Sequence, residues 1–336
     1  METIEKTDLH IHLGGSFPMS YLETISTPNE IQQLKSFIQK MKEKGETMDY
    51  HACFGAFSLV SKIVNNNSKI ENGTAALCQC LAADGVTYVE IRTSLKNLNE
   101  EGHEAYLNAI FSGIRKGCAN TKLRAAILLS VKRNSSVEFV KETWRLCKLH
   151  FGYGTVVCED GFESAKPTDY PTVLDCAKVV GIDISDDALL GNGEHVIPLA
   201  VMQEMRSMHV PVALHIGECV EETPEQQMNE LNYYQPLRIG HGVFLCDEAK
   251  QFVYSRRLPI EMCLSSAVIA HMVTSAGEHP AIALLLDNYP VLICTDDPLI
   301  FETSNTKDCE LAAALCNVSI ADIARFQQNS KKYIFH

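Results

Sequence analysis

Short apolar, largely β-branched runs recur along the chain, each followed by a longer stretch with apolar positions three and four residues apart. The runs are TDLHI (7–11), VTYVEIR (86–92), RAAILLSV (124–131), KVVGIDI (178–184), PVALHI (211–216), PLRIG (236–240), PIEMCL (259–264) and PVLICT (290–295). Near-continuous apolar runs of this length read as strands buried on both faces. The stretches 69–84, 103–118, 136–150, 194–209, 245–257 and 306–316 carry the helical period. Eight strands alternating with helices predict an α/β fold, a (β/α)8 barrel of the TIM type formed as one domain by residues 1–336. A doubly wound open sheet is the other architecture the alternation permits. One further run, TVVCED (155–160), exceeds the count. It is read as an insertion, the alternative being that it is the fourth strand and displaces 178–184.

The first connection is long. Residues 20–70 include IQQLKSFIQKMKEKGE and FGAFSLVSKIV, both helical in pattern. In a barrel such an insertion would lie over the mouth as a lid, or else pack as a solvated helix.

Composition narrows the class. The 336 residues are 46% hydrophobic and 21% charged, as in a soluble globular protein. No segment has the length and apolarity of a membrane span, and METIEKTDLH has no apolar signal core. The thirteen cysteines include no CxxC pair, which fits reduced thiols and a cytoplasmic location. A net charge of −13 argues against nucleic-acid and anionic-membrane partners. It leaves room for a small anionic ligand at a locally cationic site.

Chemistry concentrates at strand ends. In TDLHIHLGGS, His10 and His12 are two apart and so project from one strand face, as a metal pair would. LHIGE supplies His215 and Glu218, RIGHG supplies His241, and ICTDDP supplies Asp296 and Asp297. In a barrel, these all fall at the C-terminal ends of strands, where active sites are built. Glu90 and Arg92 alternate along YVEIR and are expected to form a buried pair. Ser265 and Ser266 follow the seventh strand, where they would orient His241 or the metal ligands, or make a turn.

The stretches LHIHLGGS, ADGVTYVEIR, VVGIDIS, LHIGE, RIGHG, EMCLSS and CTDDPLIF, taken in this order across nearly the whole chain, resemble the adenosine deaminase family of metal-dependent amidohydrolase barrels. The resemblance implies one Zn²⁺ per subunit, held by His10, His12, His215 and Asp296, and a small-molecule purine substrate. It implies water attack at C6 of the 6-aminopurine with release of ammonia. Three nitrogen ligands and one oxygen suit zinc and leave a position for water, whose pKa then falls toward ~7. His241 would take or orient the water proton. Glu218 would protonate purine N1, a role that calls for a pKa raised by desolvation. Asp297 would bond N7, and His12 would border the substrate.

Two departures concern the substrate. Gly14 stands where adenosine deaminases resemble HxHLDG, whose Asp binds ribose hydroxyls. Asp186 in IDISDD stands where the family has a glycine whose N–H meets purine N3, unless Gly191 or Gly193 takes that part. RIGHGVFL, PIEMCLSS, VLICTDD and KKYIF lean toward the adenosine deaminase-like branch that acts on N6-substituted adenine nucleotides such as N6-methyl-AMP, although DDPLIF is of the adenosine type. A nucleotide would need cations near its phosphate. Lys62, Lys69, Lys96, Arg92, Lys132 and Arg133 are the candidates, with a solvated basic pair as the other reading of Lys132-Arg133.

The leading expectation is therefore a zinc-dependent hydrolytic deaminase of a 6-aminopurine nucleoside, adenosine or a close analogue. The alternatives are an N6-substituted AMP, another aminopurine or a pteridine as substrate, and a non-catalytic purine-binding relative. The oligomeric state is left open.

Overall fold

The computed structural model describes residues 4–43, 53–152, 177–190 and 195–335. Eight parallel strands run in chain order around one sheet. They are β1 (Lys6–His12), β2 (Val86–Thr93), β3 (Arg124–Lys132), β4 (Val179–Ser185), β5 (Val212–Ile216), β6 (Arg238–His241), β7 (Ile260–Met262) and β8 (Val291–Ile293). The first and last strands meet just beyond β8. There His12 N–H donates to Asp296 O at 2.9 Å and Asp296 N–H donates to His10 O at 2.8 Å. The predicted (β/α)8 barrel is thus the observed fold, and its closing seam joins three of the residues singled out for chemistry. The run 155–160 lies outside the described residues.

Strand alternation explains why the wall holds. In β3, Ala125, Ile127, Leu129 and Val131 face the main apolar core under the helices. Ala126 and Leu128 face inward with Val180, Ala213 and Phe335. The helices over β2 to β6 include α4 (Asn67–Ala83), α5 (His103–Cys118), α6 (Val137–His150), α7 (Leu199–Ser207) and α8 (Pro224–Tyr234). Beyond them come α9 (Asp247–Ser255), α10 (Leu264–Ile269), α11 (Ala281–Leu286), α12 (Asn305–Cys316) and α13 (Ile320–Ser330). Local signals start several of them. Thr223 and Gln226 form a reciprocal capping box on α8 with Pro224 in its first turn.

The insertion after β1 forms α1 (Met19–Ile25), α2 (Pro28–Lys42) and α3 (Phe54–Ile63). Met41, Cys53 and Ala56 share an apolar cluster with Val243, Ala267, Ala270, Met272, Ile300 and Phe301. The latter six follow β6, β7 and β8, so the insertion packs over the C-terminal mouth. Among the described residues, no helix is long and apolar enough to cross a membrane.

The barrel interior is charged. Arg92, Arg238, Glu90, Asp183 and Glu261 are all fully buried. The expected Glu90–Arg92 pair does not form. Both side chains point inward, but successive inward residues lie in different layers, and each pairs across the barrel. Glu90 takes Arg238 and the Phe335 N–H at 2.8 Å, while Arg92 takes Asp183 at 2.9 Å and also Glu261. Removing one partner of a buried pair leaves an uncompensated charge. Glu90→Ala is therefore expected to destabilise the fold by about 3–5 kcal/mol, read as a lowered urea midpoint at unchanged slope. A midpoint within error of the native chain would show the pair to be dispensable.

Candidate active site

β1 directs His10 and His12 to the same inward face, and the ends of β5 and β8 bring His215 and Asp296 to them. The Nε2 atoms of His10 and His12 lie 3.2 Å apart, and those of His12 and His215 lie 3.1 Å apart. Asp296 Oδ1 is 3.5 Å from Nε2 of both His10 and His12. His10 and His215 are buried, and the His12 side chain keeps 20% of its surface.

The other ring nitrogens are occupied. His10 Nδ1 meets Glu261 Oε2 at 2.8 Å. His215 Nδ1 faces Ile184 O at 3.1 Å and Asp183 Oδ1 at 3.0 Å. Burial alone would raise these two carboxyls. The charges of Arg92 and Arg238 at Glu261, and of His215 and Arg92 at Asp183, hold both well below the usual carboxylate range. Acceptors at Nδ1 favour a proton there, so the neutral form of His10 and of His215 presents the Nε2 lone pair. Three histidine Nε2 atoms and a carboxylate converge to within hydrogen-bond distance of one another, as they would around one cation. This donor set fits a metal ion of the zinc type.

Asp296 is aimed by its backbone and by a neighbour. Its φ is +63°, a left-handed conformation that non-glycine residues seldom hold outside functional sites. Ser266 Oγ, on α10, donates to Asp296 Oδ2 at 2.6 Å. Ser265 instead donates to Asp308 Oδ1 at 2.6 Å. His241 also has a positive φ, +62°, and its Nε2 lies 3.4 Å from Glu218 Oε1. Both side chains are buried, and His241 Nδ1 has no protein partner among the described residues. Burial and then the neighbouring Asp296 charge push the Asp297 carboxyl well above the carboxylate range, making it a hydrogen-bond donor.

The structure therefore gathers His10, His12, His215, His241, Glu218, Asp296 and Asp297 at one end of the barrel. Four participants carried no prior assignment. Asp183 and Glu261 orient the histidines; their signal was an acid at an inward position of an otherwise apolar strand. At Gly15, a Cβ would overlap the Asp297 carboxyl. At Gly240, a Cβ would sit 2.9 Å from His10 Cε1.

The positions expected at the substrate end are more dispersed. A Cβ at Gly14 would make ordinary contact with Phe57 of α3, 3.6 Å away. Asp186 follows β4 with φ +77°, the conformation a glycine would favour. Its carboxylate is drawn to Lys132 Nζ at 2.9 Å, and its carbonyl accepts from Arg133 at 2.7 Å. Gly191 and Gly193 lie outside the described residues. Arg92 is sealed in the interior, and Arg133 is spent on Glu230 and on His215 O. Neither is free to meet a phosphate, contrary to expectation. Lys69 donates to Ile63 O at 2.7 Å, and Lys62 is exposed on α3. Lys96 donates to Ser61 Oγ on α3 at 3.2 Å.

The family model described as adenosine deaminase matches residues 5–168 and 173–336. The chain belongs to the adenosine deaminase family. It is a deaminase of the amidohydrolase type. It is 26% identical over 342 residues to the N6-methyl-AMP deaminase of Danio rerio, covering 99% of this chain and 90% of that one. It is 24% identical over 345 residues to an adenosine deaminase of Clostridium botulinum (strain 657 / Type Ba4), covering 99% and 94%. Among solved structures, Arabidopsis ADAL complexed with GMP superposes with a TM-score of 0.81 at 25% identity, over 99% of this chain and 93% of that one.

Groups that fix metal-binding histidines typically contribute 10–100-fold in metal affinity. Glu261→Gln is accordingly expected to weaken Zn²⁺ binding by about that factor, measured by chelator competition. Unchanged affinity would mean that Glu261 serves the two arginines alone.

Proposed function

We propose that the protein is a zinc-dependent deaminase of an adenine nucleotide substituted at N6, such as N6-methyl-AMP, with adenosine a poorer substrate. This reverses the order in which the sequence alone ranked the two. The observation that carries the deaminase reading is the meeting of Glu218, His241 and Asp297 beside three converging histidine nitrogens and Asp296. The nucleotide reading draws support from the relatives named N6-methyl-AMP deaminase and from a structural neighbour holding GMP. It also draws on Gly14, which offers no carboxylate to ribose hydroxyls, and on Lys96 and Lys132 at the strand ends β2 and β3.

His10, His12, His215 and Asp296 would hold the ion. A Zn²⁺ held there supplies Lewis acidity that makes water nucleophilic near neutral pH. The chain's own groups do the rest. His241, buried and with Nε2 turned toward Glu218, orients the attacking water and receives its proton. Glu218 gives its proton to purine N1, so that C6 takes the electron deficit. Asp297, kept protonated by burial and by Asp296, donates to N7 and fixes the ring. Water oxygen then bonds to C6, the C6–N6 bond breaks, the amine leaves with the proton that His241 received, and the remaining hydroxyl proton returns to Glu218 as C6 becomes a carbonyl. A non-catalytic purine binder would lack one of these groups, and all are present.

Glu218→Gln is expected to keep the metal while kcat falls about 10²–10⁴-fold, because the N1 proton is no longer supplied. Asp296→Ala is expected to lose both zinc and turnover. Amine release from N6-methyl-AMP, AMP, adenosine, adenine and a pteridine, compared by kcat/KM, tests the substrate. Preference for adenosine over the nucleotides would overturn the nucleotide reading, and an inert, metal-free protein would overturn the enzymatic one.

A further inference from the structure

Glu222 lies four residues past Glu218, in the loop between β5 and α8, and reaches back into that loop. Its Oε2 accepts the Gly217 N–H at 2.8 Å and its Oε1 accepts the Glu218 N–H at 2.8 Å. Two successive amides aimed at one anion form a nest, and the positive φ of Gly217, +68°, shapes it. Only 9% of Glu222 is exposed. Burial pushes its carboxyl up, while the Arg133 charge and the two N–H donors oppose this.

The clamp also ties two loops together. Gln227 Nε2 donates to Phe244 O at 2.9 Å and stands 3.5 Å from Glu222 Oε2, and Gln227 Oε1 accepts the Cys246 N–H at 2.8 Å. Phe244 N–H in turn donates to Gly217 O at 2.9 Å. The loop carrying Glu218 and the loop following His241 are thereby stitched at the point where those two side chains face each other. We propose that Glu222 is a positioning residue, which fixes the peptide on either side of Gly217 and so holds the Glu218 carboxyl in register with His241 and the purine edge. This inference rests on the deaminase reading above. Among the described residues, the hydrogen bonds of the Glu222 carboxyl go to Gly217, Glu218 and Gln227, so it reaches Glu218 through the backbone. The cost of freeing Glu218 should fall on the chemical step and spare substrate affinity, because displacements near 1 Å cost on the order of 10²-fold in rate.

The test compares Glu222→Ala and Glu222→Gln in the full-length zinc-loaded protein, assayed on the best substrate of the panel above. Glu222→Ala is expected to lose about a hundredfold in kcat, with KM within about threefold and zinc content unchanged. Glu222→Gln keeps one acceptor for the nest and is expected to recover kcat to within about tenfold of native. Should Glu222→Ala fail to fold, Glu222→Asp takes its place with the same expectation, since the shorter chain draws the carboxylate away from both N–H groups. Native kcat in Glu222→Ala or its Asp substitute overturns the proposal. A kcat loss that Gln does not relieve, or one matched by loss of zinc or a rise in KM, also overturns it. If the native protein turns over no aminopurine, the deaminase reading fails separately. The clamp itself is then read from amide exchange at Gly217 and Glu218, expected slow in the native protein and fast in the Ala or Asp variant. Equal exchange in both would remove the clamp as well.

Discussion

Inside the barrel, Glu261 receives His10, Arg92 and Arg238 at once, and Arg92 passes on to Asp183, which meets His215. This chain of alternating charge runs from β1 through β7, β2 and β4 to β5 without leaving the dry interior. Desolvating so many charges is unfavourable unless every partner is present. The requirement makes the network all-or-none, and that is its structural use. It engages Nδ1 of two histidines from well-separated strands and turns both Nε2 atoms to the mouth. The convergence of the histidine nitrogens is thus a consequence of how the barrel neutralises its own core.

The rest of the site depends on where strands stop. Asp186, His241 and Asp296 each follow or end a strand, and each has a positive φ without being glycine. Such conformations cost of order 1 kcal/mol or more apiece, and two of the three turn a side chain into the mouth. The seam between β1 and β8 compensates part of this. The hydrogen bonds that close the barrel, His12 to Asp296 and Asp296 to His10, are the same bonds that set Asp296 beside the histidines. Barrel closure and assembly of the site are therefore one event.

Much of this was legible in the chain. The eight strands announced themselves as short runs, mostly apolar and buried on both faces, each followed by a helical pattern. His10, His12, His215, His241, Glu218, Asp296 and Asp297 stood out because they end those runs abruptly. Asp183 and Glu261 did not, since an acid within an apolar strand has meaning only once its layer in the barrel is known. The same ignorance of layers suggested a bond between Glu90 and Arg92, which share a face but not a level. Gly15 could be read as a turn residue, yet what it must admit is the carboxyl of Asp297, nearly three hundred residues away. Asp186 holds the positive φ that a glycine would favour. That Lys132 would draw its carboxylate aside required the neighbouring strand end.

Chemistry and recognition are also divided by rigidity. The groups assigned to bond breaking sit on strands or within a few residues of them, and buried partners orient most of them. The groups left for the substrate's far end belong to the rim and to the insertion: Gly14 against Phe57, Lys96 against Ser61, and Lys132 against Asp186. Lys96 is the informative one. Burial, and then the charge of Lys132, lower its pKa, and Lys132 is itself paired with Asp186. The rim lysines are thus tied to the insertion and to a neighbouring strand end, whereas the converging histidines are fixed by buried carboxylates.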